Sequence, residues 1–317
     1  MRGGASIALR ARLLGWAAPW LFILIWSTGF LVGRAVLPYA DVQLFLVARF
    51  GLTALLFTGA ALAAGVSWPR GRAAGLHMLA GALMQGVYIG FSYWAIAQGL
   101  AAGIMALMGA LQPLFTALIT TLVFRQRLSR LAWLGLAIGF AGVACVLAPK
   151  LALHAAAGAG GLPPSAAGGL PPAATDGLPP LGAALAVLSV LSITIGTLLQ
   201  KSSVAGDDLR PAGALQNLGA LCVVCLLFLT VGTPHWDPHP VLWTALAWAV
   251  LGPSVVGISL LVWMVRHGEA TRATALLLLV PPLAALEAFF LFHETLTPLQ
   301  LAGFALALAG VGLTRRG

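Results

Sequence analysis

Two charged side chains stand inside long apolar segments of the chain. Arg49 lies in the apolar run 42–65 and Glu287 in the run 273–292. An arginine at mid-membrane depth costs on the order of 3 kcal/mol and cannot shed its proton, so it should face the protein interior and find a partner. At a rise of about 1.5 Å per residue, Arg49 lies roughly 10 Å and Glu287 roughly 8 Å below the same membrane surface. We therefore hypothesise that the two side chains interact, directly or across a bound solute.

Each of these residues also has a simpler interpretation. Arg49 is then a structural residue that bonds backbone carbonyl groups or extends towards the membrane surface. Glu287 is then a protonated, hydrogen-bonded side chain with no further role. A buried carboxyl group can also take up and release a proton near neutral pH, which makes Glu287 the candidate for proton coupling.

Amide, hydroxyl and aromatic groups occur at similar depth in other apolar segments. Binding sites for small organic molecules combine apolar walls with a few polar groups, so this pattern predicts an amphipathic cavity. The alternative for each residue is a hydrogen bond between helices or an anchor at the membrane interface. The candidate substrate-binding residues, besides Arg49 and Glu287, are Trp26, Gln85, Tyr88, Trp94, Gln112, Thr194 and Gln216; Tyr93 and Asn217 adjoin them.

Prolines near the middle of apolar segments are predicted to bend the helices around this cavity. A proline removes one N–H group and frees the carbonyl four residues earlier. Free carbonyls at membrane depth are tolerated only where they line a cavity or are buried in protein. The candidate helix-bending residues are Pro113, Pro253, Pro281 and Pro282. The alternative is structural kinking without a role in function.

One cluster has metal-ligand chemistry, and no enzyme motif is present in the sequence. His235, Asp237 and His239 lie within a short turn that prolines constrain, and no fourth ligand is evident, so a chance cluster is the favoured interpretation. Cys222 and Cys225 lie inside an apolar segment, which is more typical of packing than of redox chemistry. There is no Gly-rich phosphate loop, nucleophile elbow or H-E-x-x-H sequence. No metal, cofactor or enzymatic activity is expected.

The composition shows which elements must position these residues. Hydrophobic residues make up 60% of the 317 residues and charged residues 8%, whereas a soluble domain carries roughly 25% charged residues. A spanning helix needs about 20 apolar residues. Segments of that kind lie near 14–33, 42–65, 74–97, 102–123, 131–148, 181–200, 212–232, 242–265, 273–292 and 298–314. The sequence therefore predicts an all-α integral membrane protein with ten transmembrane helices, the first of which is too long for a signal peptide.

The basic residues predict the orientation of these helices. The formal net charge is +9. With the N-terminus in the cytoplasm, fourteen Lys and Arg residues fall in cytoplasmic segments, whereas Arg34 and Lys150 fall in outer segments. This asymmetry is the positive-inside bias of membrane proteins, and it predicts that both termini are cytoplasmic. The lipid bilayer accounts for the basic charge, and no nucleic-acid partner is expected.

The chain contains an internal duplication. Residues Gly103 to Val143 superpose on Thr271 to Val311 at one constant offset. Equivalent pairs are Pro113 and Pro281, Gly135 and Gly303, and, more weakly, Asp41 and Asp208. The repeat unit is then five helices. Because five is odd, the second half enters the membrane with the opposite polarity, which gives an inverted repeat typical of secondary transporters.

A segment rich in Pro and Gly separates the two halves. Residues 149–180 contain three copies of Gly-Leu-Pro-Pro, which cannot bury a core and predict an extended external linker. The predicted organisation is a first five-helix half at 1–148, this linker, and a second half at 181–317. Small residues around Gly135 and Gly310 predict close helix packing, either between the halves or between the protomers of a homodimer.

Several short stretches together form a signature. They are Trp26-Ser27-Thr28-Gly29-Phe30, Leu37-Pro38-Tyr39-Ala40, Ala48-Arg49-Phe50, Leu111-Gln112-Pro113-Leu114, Val280-Pro281-Pro282 and Phe292-His293-Glu294-Thr295-Leu296-Thr297. This signature resembles that of bacterial EamA-type transporters of the drug/metabolite transporter superfamily, over nearly the whole chain apart from the linker. The resemblance implies transport of amino acids, other metabolites or drugs, in the direction of export. Gln126 and His293 depart from the usual Glu and Gly of the family motif, so Glu294 alone retains the acidic turn.

These observations favour one function over two alternatives. The leading prediction is a secondary active transporter of small organic molecules in the bacterial inner membrane, which works by alternating access between its halves. It would not use ATP, because the chain has no nucleotide-binding domain. One alternative is a polytopic membrane enzyme or lipid-handling protein, whose catalytic polar residues should cluster at one interface. The other is a membrane sensor or assembly factor that transports nothing.

Overall fold

The described residues form helices, several of which are joined by short turns. The structure is a computed structural model that describes residues 2–125, 128–158, 180–203, 207–260, 279–294 and 296–316. The first half contains α1 (Arg2–Val36), α2 (Val42–Ala63), α3 (Arg72–Gly81), the π-helical segment π1 (Ala82–Val87), α4 (Tyr88–Ala97), α5 (Ala102–Ala110), α6 (Gln112–Phe124) and α7 (Arg130–Gly158). The second half contains α8 (Pro180–Ser203), α9 (Leu209–Val231), α10 (Pro240–Ala249), the π-helical segment π2 (Val250–Gly257), α11 (Val280–Phe292) and α12 (Pro298–Arg316).

The helices are those of a multi-pass membrane protein. In the described ranges, eight helical segments are long and apolar enough to cross a membrane, and two shorter apolar helices span Val280–Phe292 and Pro298–Thr314. The prediction of an all-helical chain with many apolar spans is therefore confirmed. The predicted count of ten also depends on residues 261–278, which lie outside the described residues.

The outer surface of the bundle is apolar. Leu55 is 69% exposed, Leu229 is 79% exposed and Phe290 is 68% exposed. In water such large side chains would favour association, whereas lipid tails solvate them without penalty. The lipid bilayer is therefore the environment that this surface fits.

Aspartates begin α2 and α9, the second helix of each half. The carboxylate of Asp41 accepts hydrogen bonds from the backbone N–H groups of Gln43 and Leu44, both at 2.9 Å. The carboxylate of Asp208 accepts one from the N–H group of Arg210, also at 2.9 Å. Each carboxylate satisfies N–H groups that the first helical turn leaves without partners. The two aspartates were weak equivalents in the sequence repeat, and they perform the same local task.

Three of the four predicted helix-bending prolines lie in the first turn of a helix. The segment predicted as one helix at 102–123 is divided at Leu111, and Pro113 lies in the first turn of α6. Pro281 and Pro282 lie in the first turn of α11. A proline fits this turn because its missing N–H group would have no helical partner there. Pro253 lies inside π2.

The two π-helical segments lie at equivalent positions of the repeat. Ala82 and Val250, which begin π1 and π2, are 168 positions apart, the same offset that superposes Gly103 on Thr271. A π-helical turn accommodates an extra residue and occurs often at functional sites. The segments therefore mark the third helix of each half as a place where regular α geometry is interrupted.

Glycines allow α7 and α12 to pack with their backbones in contact. A methyl group at Gly142 of α7 would lie 2.6 Å from the carbonyl oxygen of Gly303 of α12. Such a distance is too short for any side chain, so the small residues permit this approach. Gly135 and Gly310 lie in the same contact. The small-residue faces predicted to join halves or protomers are thus used between the halves of one chain.

Helix α7 is longer than predicted. It continues through Pro149 to Gly158, whereas the linker was predicted to begin at 149. Residues 151–157 are rich in Ala and Leu, which are strong helix formers, and this explains the extension. The Gly-Leu-Pro-Pro copies lie outside the described residues.

Candidate functional site

The helices enclose a cavity of about 260 Å³. Its wall is built from α1, α2, π1, α4, α8, α9 and π2, so both halves of the chain contribute. The predicted site residues that line it are Trp26, Arg49, Gln85, Tyr88, Gln216 and Pro253. Sites for drug-sized ligands begin at roughly 300 Å³, so the volume of this cavity favours a smaller solute.

Arg49 is the buried cation in the wall of this cavity. Its side chain is 5% exposed. Nη1 donates to the hydroxyl oxygen of Tyr93 at 3.5 Å, and Nη2 donates to Oγ of Ser254 at 3.2 Å. The guanidinium carbon also lies 5.5 Å from the centre of the Phe50 ring. These partners are neutral, so they orient the guanidinium group without balancing its charge.

Tyr93 and Ser254 are held in turn by backbone carbonyl groups. The Tyr93 hydroxyl donates to the carbonyl oxygen of Gly29 at 2.7 Å. Oγ of Ser254 donates to the carbonyl oxygen of Ala249 at 2.9 Å. This carbonyl lies four residues before Pro253, which has no N–H group to bond it. Ser254 therefore bonds the carbonyl group at the start of π2 and positions its own oxygen for Arg49.

Glu287 lies against α1 rather than against Arg49. Its Oε1 accepts a hydrogen bond from Oγ of Ser27 at 2.8 Å, and Oε2 has no hydrogen-bond partner among the described residues. Helix α11 packs on α1 and α5, whereas Arg49 on α2 faces α4 and π2. The hypothesised direct contact between Arg49 and Glu287 is therefore not formed, because their helices face different neighbours.

Three other predicted site residues also lie away from the cavity wall. Nε2 of Gln112 donates to Oγ1 of Thr197 at 2.9 Å and so joins α6 to α8. Thr194 is fully buried and bonds the carbonyl oxygen of Val190 within its own helix at 2.7 Å. Trp94 packs edge-on against Phe91, with their ring centres 6.4 Å apart. The Gln112 contact is the hydrogen bond between helices given as the alternative, whereas the contacts of Thr194 and Trp94 lie within their own helices.

Several lining residues were not among the predicted site residues. Tyr93 and Asn217 had been noted only as neighbours of candidates, and Ser254 and Gln200 had not been noted at all. Ser254 follows a proline inside an apolar segment, and this is a signal that could have identified it. The apolar members of the wall, which include Phe30, Phe57 and Met84, carry no such signal, because their residue types are those of any core.

A buried histidine connects the cavity wall to the turn before α9. His77 is 1% exposed, and its Nε2 lies 2.8 Å from Oδ2 of Asp207. Its Nδ1 lies 3.5 Å from Nε2 of Gln216, which lines the cavity. The two contacts orient the imidazole ring and attach α3 to α9. Sequence reasoning missed this pair because the two residues are far apart in the chain.

At the opposite end of the bundle, an ion pair and hydrogen bonds join segments that are predicted to lie on the outer side of the membrane. Arg34 Nε lies 3.6 Å from Oε1 of Glu294, and Glu294 Oε2 accepts from the backbone N–H of Ala102 at 3.1 Å. Asp41 Oδ2 accepts from the backbone N–H of Thr233 at 3.1 Å. These contacts hold together the ends of α1, α5 and α11 and the turns before α2 and α10.

The histidines of the predicted chance cluster lie in this outer region and have structural contacts. The ring of His239 stacks on Tyr39 at 4.3 Å, and its Nδ1 accepts from the N–H of Val241 at the start of α10. His235 Nε2 lies 3.4 Å from the carbonyl oxygen of Pro38. Across the described ranges, no group of three or more His, Cys, Asp or Glu residues is placed to hold a metal ion.

Sequence comparison shows the family. The EamA-like transporter family matches residues 15–148 and 180–316. The chain belongs to this EamA-like transporter family. The family model therefore matches the chain twice, and residues 149–179 separate the two matched ranges.

This EamA-like chain is similar to one curated protein in sequence and to one solved structure in fold. An uncharacterized transporter of Synechocystis sp. is 24% identical over 229 residues, which span 69% of this chain and 65% of the relative, slightly less than two thirds of its length. A solved crystal structure of a protein superposes with a TM-score of 0.57 at 19% identity and covers 95% of this chain and 97% of its own. At this level of identity the superposition shows a shared fold.

Proposed function

We propose that this EamA-like chain is a secondary active transporter that exports small organic metabolites, such as amino acids, across the bacterial inner membrane. The observation that carries the proposal is the cavity between the two halves, because its apolar wall contains a few oriented polar groups at membrane depth. Its volume favours metabolites over larger drugs. The direction of export rests on the resemblance to the family.

The proposed architecture is ten transmembrane helices in two inverted five-helix halves, with both termini cytoplasmic. The contacts support it, because segments assigned to the same side of the membrane meet. Asp41 meets Thr233 and Arg34 meets Glu294 among the segments assigned outside. His77 meets Asp207 near the side assigned to the cytoplasm.

The proposed mechanism is alternating access. In this arrangement the contacts of Arg34, Glu294 and Ala102 close the outer side, while the cavity extends from Arg49 to residues near the cytoplasmic ends of α8 and α9, such as Gln200 and Leu209. Breaking the outer contacts and forming others at the cytoplasmic side would expose the same cavity outward.

Solute flux into proteoliposomes tests the proposal. The purified chain should accelerate the movement of small metabolites without altering them chemically and without ATP. A product released from a solute or from a lipid would instead support the membrane enzyme or lipid-handling alternative. The absence of both flux and turnover across a broad panel of metabolites would support the sensor.

Topology reporters should show the two faces of the bundle. A reporter placed within residues 158–177 is expected to be active in the periplasm, and one fused after Arg316 is expected to be active in the cytoplasm. The reason is the positive-inside bias together with five helices in each half. If both reporters were active on the same side, the proposed odd number of helices between them would be wrong.

We also propose that Glu287 carries a coupled proton. Its Oε2 has no hydrogen-bond partner among the described residues, and Ser27 holds Oε1 in place. Glu287→Gln is expected to abolish flux driven by a pH gradient, because a glutamine side chain cannot take up and release a proton. The exchange of labelled for unlabelled solute should be preserved, because it needs no net movement of protons. The measurement is flux with and without a pH gradient in proteoliposomes.

The control for this variant is Asp237→Asn, which removes a carboxylate from an exposed outer turn. It should retain the response to the gradient. A Glu287→Gln protein with the normal dependence on the gradient would exclude this residue as the coupling site.

A further inference from the structure

Among the described residues, Arg49 has no counter-charge. Asp41, Asp207, Glu287 and Glu294 each bond other groups, and Arg49 forms no ion pair with any acidic residue in the described part of the chain. A buried cation is normally paired, because desolvation of an unpaired charge is costly. The protein tolerates this cation at the wall of a cavity, where a solute can supply the missing negative charge.

One edge of the guanidinium group is also left without a hydrogen-bond partner. Nε of Arg49 is buried and has no acceptor among the described residues, while Tyr93 and Ser254 occupy Nη1 and Nη2. Each terminal nitrogen carries a second N–H, so Nε and a terminal nitrogen can donate side by side. This planar pair of donors matches the two oxygens of a carboxylate.

A second unpartnered group in the same wall has the opposite hydrogen-bonding character. Asn217 is 1% exposed, and its Nδ2 donates to the carbonyl oxygen of Gly213 at 2.8 Å. Its Oδ1 is buried and has no donor among the described residues, although the residue lines the cavity. An acceptor left without a partner is costly, so a donor on the solute would be bound favourably here. Aromatic side chains of Trp26 and Tyr88 complete the wall.

We propose that the cavity selects small organic monocarboxylates, whose carboxylate binds the Nε edge of Arg49 and whose hydrogen-bond donor, where present, binds Oδ1 of Asn217. This inference rests on the proposed transport function and specifies its substrate class. A single cation in the described wall matches one negative charge better than the double charge of a phosphate ester. The apolar remainder of the wall fits a short hydrocarbon side chain.

Two matched pairs of solutes test this selectivity. The first pair is leucine and leucinamide, and the second is 4-methylpentanoate and 4-methylpentanamide. Within each pair the shape is conserved and the carboxylate is replaced. Binding to the purified full chain is measured by thermal stabilisation in detergent, and flux is measured in proteoliposomes. Each carboxylate is expected to bind at least about tenfold more tightly than its amide, because a charge-assisted bond is lost in the amide.

Variants assign the preference to the two residues. Arg49→Gln should remove the preference for the carboxylate in both pairs, and Arg49→Lys, which keeps the charge without the planar fork, should retain part of it. If Arg49→Gln fails to fold, the lysine variant carries the test. Asn217→Ala should reduce the affinity for leucine about tenfold relative to the affinity for 4-methylpentanoate. The reason is that leucine has a hydrogen-bond donor for Oδ1 of Asn217, whereas 4-methylpentanoate has none. Arg70→Gln, which removes a charge from an exposed turn, is the control and should leave all preferences unchanged.

The outcomes separate the inference from the proposed function. Flux with no preference for carboxylates, or with a preference that Arg49→Gln does not alter, overturns the inference and leaves the transporter intact. Carboxylate binding without flux of any solute overturns the transporter and leaves the binding site intact. Neither binding nor flux of the four solutes would overturn the monocarboxylate site.

Discussion

Replacing Gly81 with alanine is expected to destabilise the protein and to abolish transport, whereas the same change at Gly75 of the same helix is expected to preserve both. A methyl group at Gly81 would overlap the backbone of Gln216, so α3 and α9 would have to separate. A methyl group at Gly75 would meet nothing within 4 Å. The two substitutions are chemically identical and differ only in the space around them.

The expected energies have opposite signs. Overpacking typically costs about 1–3 kcal/mol. A clash with backbone atoms belongs at the upper end of this range, because backbone atoms cannot move aside as the end of a flexible side chain can. Alanine at an exposed helical position is instead favoured over glycine by up to about 1 kcal/mol. The apparent melting temperature in detergent, measured at one heating rate, should therefore fall for Gly81→Ala and stay constant or rise for Gly75→Ala.

The loss of transport follows from the position of the clash. Gln216 lies in this contact, and both Gln216 and its neighbour Asn217 line the cavity. Displacement of α9 is therefore expected to shift both amides relative to the rest of the cavity wall. Equal melting temperatures and equal flux for the two variants would show that the close approach of α3 and α9 does not position the cavity wall.

Removal of the Glu294 side chain is expected to open the outer side of the bundle. In Glu294→Ala, the backbone N–H of Ala102 at the start of α5 loses its acceptor, and Arg34 loses its ion-pair partner. A lost helix cap costs about 1 kcal/mol and a partly exposed ion pair up to about 1 kcal/mol. Together they correspond to a shift of about 5- to 30-fold in the equilibrium between closed and open outer sides.

Labelling of a cysteine in the cavity measures this shift. Gly29 lines the cavity, and a Cβ atom added there would meet no atom within 4 Å. Gly29→Cys therefore introduces a thiol at the cavity wall, in a protein in which Cys145, Cys222 and Cys225 have been replaced. A membrane-impermeant thiol reagent added from outside should react faster in Glu294→Ala. Glu294→Gln keeps an acceptor for Ala102 without the charge, so its rate should lie between those of the parent and the alanine variant. An unchanged rate in Glu294→Ala would mean that these contacts do not close the outer side.

These two predictions concern opposite ends of the same cavity. The contact of α3 and α9 fixes the wall that surrounds the solute, whereas the contacts of Glu294 hold the helix ends beyond Arg49. In an alternating-access cycle the first contact has to persist and the second has to break. The energies agree with this division, because backbone packing is strong and a partly exposed ion pair is weak.

The local chemistry of individual residues was predictable because it depends on residue type and depth. Arg49 had to be buried and partnered wherever the helices packed, since a guanidinium group in lipid is costly. Pro113, Pro281 and Pro282 fit the first turns of helices, since they lack an N–H group. The repeat predicted two comparable halves, and the family model matches the chain over two ranges, 15–148 and 180–316.

The choice of partners was not predictable in the same way. Arg49 and Glu287 have similar depths, yet the side chains face different helices, and depth contains no information about rotation around a helix axis. Trp94, Gln112 and Thr194 have residue types that suit a binding site and lie in ordinary helix contacts. A small rotation of any of these helices would have exchanged cavity and core positions.

By itself, the sequence determined that the chain is helical, lies in a membrane, is built from two related halves and contains a buried arginine. These properties follow from composition and spacing, which act within single segments. Only the tertiary structure decided that Tyr93 and Ser254 orient Arg49, that Asn217 shares its cavity, and that Glu294 holds the start of α5. Those contacts join residues from different helices, and the packing of small residues such as Gly81 sets which faces meet.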